Sequence, residues 1–163
     1  MPEVVISNTS PLQYLHQLGH LYLLPHFYQQ VLIPPAVSRE LTAGRDHGVP
    51  LPEPGTIEWL HEHAHTDNPA LSLATSLGAG EREVLSLALE TTDALVLIDD
   101  GRARRIGQRL GIRMTGTVGI LVRATRERLI PQLAPVLDQL AVLGFRLSEE
   151  ARTAALRHAS PSS

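Results

Sequence analysis

The chain has 163 residues, 43% of them hydrophobic, 19% charged and 4% aromatic, the size and composition of one ordinary globular domain that can close its own core. It contains no cysteine, and all 14 of its Lys+Arg positions are arginine, which excludes disulfides, zinc–thiolate sites, thiol nucleophiles, Schiff-base lysines and phosphate-loop lysines. The net charge of −3 averages two unlike parts: residues 1–94 carry 3 arginines against 11 acids, residues 95–163 carry 11 against 6, and residues 102–128 hold 8 arginines with Glu127 as their one acid.

Short β-branched runs alternate with helical patterns, the signature of βαβ units and a parallel sheet. Val4-Val5-Ile6 predicts a buried strand, and Ser10-Pro11 opens a helix with Leu12, Leu15 and Leu18 on one face, closed by Gly19. A short helix is expected over 21–28 and a strand over 31–33. Pro34-Pro35 then starts a helix over 36–42 that Gly44 stops. Residues 44–56 are rich in glycine and proline and predict a loop, followed by an edge strand within 57–65. A helix over 81–90 leads into the strand Leu95–Ile98, which ends at Asp99-Asp100. Next come a helix over 102–110, a strand over 112–114, and a helix that Thr115-Gly116-Thr117 caps and that runs to Arg126. Two more helices are expected near 132–143 and 148–157. Their apolar Leu133, Val136, Leu137 and Leu140 suit either a docking surface or the core. One domain over 1–158 and a disordered tail over 159–163 follow.

Functional groups of open parallel sheets collect beyond the carboxyl ends of the strands, which singles out Asn8, Asp99 and Thr115. Glu40 and Glu81 can lean over the same edge, and one helix, a tight return and one strand bring Glu81 beside Asp99. Hard oxygen ligands with neither cysteine nor histidine suit Mg²⁺ or Mn²⁺, which activate water for phosphoryl chemistry. Taken singly, Asn8 also suits a helix N-cap, Glu81 the positive end of a helix, and Asp100 the cap of the helix after it. His61, His63 and His65 alternate with metal-ligand spacing, but with no fourth ligand in view they suit an edge strand with solvated imidazoles. Gly78-Ala79-Gly80 lacks the spacing of a phosphate loop and predicts a helix-start turn.

SNTSPL at 7–12, PPAVSREL at 34–41, LGAGEREVLSLALE at 77–90, VLIDDGRARRIGQRLGI at 96–112, TGTVGIL at 115–121 and LGFRLSEE at 143–150 together resemble the PIN-domain superfamily. The resemblance is closest to its uncharacterised bacterial and archaeal branch, related to the toxin nucleases of type II toxin–antitoxin modules. It implies a three-layer α/β/α sandwich around a central parallel sheet, with an acidic pocket that holds Mg²⁺ or Mn²⁺ and cleaves single-stranded RNA. The family's four acids fall on Asn8, Glu40, Glu81 and Asp99, with Thr9 or Ser10 near the first and Thr115 at the site's edge. Asn8 departs from the family's aspartate. It keeps an oxygen ligand but removes one negative charge, which lowers cation affinity.

On this reading Glu40, Glu81 and Asp99 are catalytic, and with Asn8 they hold the metal, with Asp100 beside them. Arg102, Arg104 and Arg105 are placed to grip backbone phosphates bidentately. The expected partners are single-stranded RNA, a small antitoxin protein and a second copy of the chain. A competing expectation is a catalytically impaired PIN-fold module that binds RNA or a partner protein. A phosphatase or phospho-receiver built on Asp99-Asp100 is disfavoured by the missing lysine. No apolar stretch is long enough to span a bilayer and no signal peptide is recognisable, so a cytoplasmic location is expected.

Overall fold

In the computed structural model, which describes residues 4–72 and 76–160, helices flank a five-stranded, all-parallel sheet. The strands are β1 (Val4–Ser7), β2 (Val31–Ile33), β3 (Leu60–Glu62), β4 (Ala94–Leu97) and β5 (Arg113–Thr115), in the spatial order β3-β2-β1-β4-β5. β1 and β4 pair over four residues, Val4 opposite Ala94 through Ser7 opposite Leu97. Helices cover both faces of these central strands, so their sequences read as continuous apolar runs rather than alternations. Nearly all of their side chains are buried.

Nine helices connect and flank the described strands: α1 (Thr9–Leu18), α2 (Leu23–Tyr28), α3 (Pro35–Asp46), α4 (Pro69–Ser72), α5 (Ala79–Leu89), α6 (Gly101–Arg109), α7 (Thr117–Arg126), α8 (Leu133–Val142) and α9 (Glu149–Ala159). α1 ends where Gly19 turns left-handed at φ +78°, which lets His20 N–H bond back to the Leu15 carbonyl at 2.8 Å. Leu133, Val136, Leu137 and Leu140 of α8 are buried in the common core, so this helix completes the fold with the face considered above for docking. No described helix is long and apolar enough to cross a membrane.

Three expectations change. α3 does not stop at Gly44 but continues to Asp46, because the glycine serves packing: a Cβ there would lie 2.3 Å from Leu51 Cδ1, and the following chain folds back so that Val49 N–H bonds the Gly44 carbonyl at 2.9 Å. The short helix expected over 21–28 begins at Leu23. Of the expected tail, Ala159 still belongs to α9, and residues 161–163 lie outside the described residues.

Candidate active site

The carboxyl ends of β1 and β4 are fixed by two ladder bonds beyond the strands. Asn8 N–H donates to the Leu97 carbonyl at 2.9 Å, and Ile98 N–H to the Thr115 carbonyl at 2.9 Å. Asn8 and Asp99 therefore leave the sheet at one edge. Asn8 occupies the N-cap position of α1, yet its side chain makes no capping bond. Its Oδ1 is buried and has no hydrogen-bond partner among the described residues, an arrangement that costs about 1–3 kcal/mol unless something satisfies it.

Gly80 on α5 borders this oxygen. A Cβ at Gly80 would come within 3.1 Å of Asn8 Oδ1 and 2.7 Å of Glu40 Oε1, so only glycine leaves both oxygens where they are. Glu40 projects from α3, and its other oxygen accepts from Thr9 Oγ1 at the start of α1. Glu81, one residue beyond Gly80, is half-buried. Burial raises its carboxyl pKa above the ordinary glutamate range, the Asp100 and Glu40 carboxylates raise it further, and the Arg102 guanidinium opposes them. Asn8, Glu40, Glu81 and Asp100 thus share one electrostatic neighbourhood.

Asp99 plays a different part. Its Oδ2 accepts from Ser10 Oγ at 2.6 Å and Thr117 Oγ1 at 2.7 Å, and its Oδ1 accepts from Thr117 N–H at 2.7 Å. Three of its roughly four lone-pair sites are engaged, binding β4 to the first turns of α1 and α7. A Cβ at Gly116 would lie 2.6 Å from Asp99 Oδ1, so this approach also requires glycine. Asp100, the next residue, is the aspartate whose charge raises the Glu81 pKa. Asp100 also caps α6, accepting from Ala103 N–H at 2.9 Å.

The other expected residues divide. Thr115, expected at the site's edge, has its side chain against Gly119, and the hydroxyl that reaches Asp99 from this segment is that of Thr117, which sequence reasoning passed over as a site residue. The signal was present in the second threonine of Thr115-Gly116-Thr117, the one at a helix N-terminus. Arg102 and Arg105 are exposed on α6, whereas Arg104 is committed to the fold, donating to the Ile98 carbonyl at 3.0 Å. β3 ends at Glu62, so the alternating histidines do not share a strand. His63 Nδ1 lies 2.6 Å from the Ala64 carbonyl oxygen, and His65 turns to Asp67.

A family model described as a PIN domain matches residues 4–161. The chain belongs to the PIN-domain family. No curated protein and no solved structure matches it. PIN domains are nuclease-type folds, in general hydrolases that use divalent metals. The residues of this PIN domain suit such a cation as an open site rather than a cage. Among the described residues no three His, Asp or Glu side chains could enclose an ion, but Mg²⁺ needs only one or two carboxylates and retains several waters. The orphaned Asn8 Oδ1, with Glu40 and Glu81 beside it, is a hard-oxygen set of that kind.

Proposed function

We propose that this PIN domain is a metal-dependent endoribonuclease that cleaves single-stranded RNA, the toxin-like member of a toxin–antitoxin pair. The observation that carries this reading is the buried amide oxygen of Asn8, unsatisfied and facing Glu40 across Gly80. A buried polar oxygen without a partner at an acid-lined edge suits a hard cation as its partner.

Asn8, Glu40 and Glu81 would hold Mg²⁺ or Mn²⁺, which when bound supplies positive charge against the developing phosphoryl charge and acidifies water. The chain's own residues do the rest. Without a cation, burial and the Asp100 and Glu40 carboxylates disfavour the charged form of Glu81, so a bound cation would relieve the crowding of these acids. Thr9 orients the Glu40 carboxylate, and Ser10 with Thr117 fixes Asp99 at the rim. Arg102 and Arg105 present guanidinium groups to the phosphates of the strand. The acidic edge also suits the arginine-bearing tail of a small antitoxin, and a second copy of the chain is the proposed assembly.

The deciding experiment is cleavage of a mixed single-stranded RNA pool with Mn²⁺ by wild type, Glu40→Gln and Asp99→Ala. Loss of at least a hundredfold in both variants is expected, and undiminished cleavage by Glu40→Gln would sink the proposal. The neutral Asn8 favours a second reading, a PIN-fold module that binds RNA or a partner without cutting. Isothermal titration separates the two, because no Mn²⁺ binding at millimolar concentration leaves only the binder.

A further inference from the structure

Glu83 is the one acid of α5 that the candidate site does not use, and several contacts meet on its carboxylate. Its Oε1 accepts from the backbone N–H of Ala36 in the first turn of α3 at 2.8 Å, and its Oε2 pairs with Arg39 of the same helix at 3.5 Å. From the loop after β3, His65 places Nδ1 3.6 Å from Oε1 while its Nε2 lies 3.0 Å from Asp67. The Glu83 side chain is 17% exposed and that of His65 12%, so these two are largely shielded from water, while Arg39 and Asp67 lie at the surface.

The geometry matters because of what lies one turn away on each helix. Glu83 meets Ala36, and Gly80, three residues earlier on α5, lies beneath the carboxylate of Glu40, four residues later on α3. Residues three and four apart share a helix face. The Glu83–Ala36 bond therefore fixes the register that seats Glu40 over Gly80 beside Asn8 Oδ1.

We infer that Glu83 is a positioning residue: it latches α3 onto α5 and thereby sets the cation affinity of the Asn8–Glu40–Glu81 edge without touching the cation. The inference rests on reading that edge as a cation site. Groups that orient metal ligands from behind change affinity about 10–100-fold when removed, and a latch acting through a whole helix belongs at the lower end.

The test compares wild type, Glu83→Ala, Glu83→Gln and Glu40→Gln for Mn²⁺ affinity by isothermal titration, and solves the metal-free crystal structure of Glu83→Ala. Glu83→Gln keeps an acceptor for Ala36 N–H and loses only charge. The expected result is an affinity about tenfold weaker in Glu83→Ala, restored to within about twofold in Glu83→Gln, with Glu40 displaced from Gly80 in the crystal. Wild-type affinity in Glu83→Ala overturns the inference, and so does equal weakening in Glu83→Ala and Glu83→Gln, which would make the charge itself the determinant. Should Glu83→Ala not fold, Glu83→Gln alone decides, since a loss as large as that of Glu40→Gln overturns the latch. Absence of Mn²⁺ binding by wild type defeats the cation-site reading instead, and the position of Glu40 in the crystal then decides the latch.

Discussion

At Asn8 the backbone does the work of a helix N-cap and the side chain does not, which leaves its amide oxygen buried and facing a carboxylate. Replacing this residue by aspartate adds a negative charge where the donor set lacks one. Asn8→Asp is expected to tighten Mn²⁺ binding about tenfold, since ligand charge tunes such sites, and an unchanged isotherm would mean that the oxygen faces no cation. Glu81 gives a second residue-level expectation, in metal-free protein. Its pKa is raised on folding, so between the ordinary and the raised value the folded state binds more protons and stability falls as pH rises. Glu81→Gln should therefore melt higher than wild type at pH 7, and the advantage should vanish once pH drops below the ordinary glutamate range. Melting curves from pH 4 to 7 in EDTA check the sign.

Asp100 has two duties on one element, ending the Asp99-Asp100 pair after β4 and capping α6. Asp100→Ala is expected to cost about 1 kcal/mol in urea unfolding, whereas Asp100→Asn should stay within a few tenths because asparagine caps as well. Elements of this kind were legible in the sequence. The apolar runs of β1, β2 and β4, the proline start of α3 and the stripe of α5 each carry a period or a stop signal. The end of α3 was not legible, because Gly44 is present for the Leu51 side chain, a contact between residues with no local pattern in common. The site shows the same division. Asn8, Glu40, Glu81 and Asp99 could be named from strand ends and family spacing. That Asp99 turns to Thr117 while Asp100 turns to Ala103 N–H, and that Glu83 ties two helices, depends on side-chain directions fixed only by packing.

For the whole molecule, the opposed charge of the two parts of the chain meets where Arg102 of α6 acts on Glu81 of α5. Binding of single-stranded RNA in EDTA should weaken steeply with salt, and Arg102→Gln and Arg105→Gln should each lower the log–log slope by about 0.7. Arg104→Gln should leave the slope unchanged and lower the melting temperature, because that side chain holds the Ile98 carbonyl. A slope insensitive to Arg102 and Arg105 would remove α6 from the binding surface. The strand order has a consequence in time as well as in space. β1 is made first but lies between β2 and β4, and its register with β4 pairs Val4 with Ala94. Such long-range pairing folds slowly, and the last partner of Asp99 is Thr117. A nascent chain emerging from the ribosome therefore carries the first residue of the edge long before the others exist. Fragments released before Thr117 lack an assembled edge, so the translating cell meets the complete acidic cluster only when most of the chain has been made.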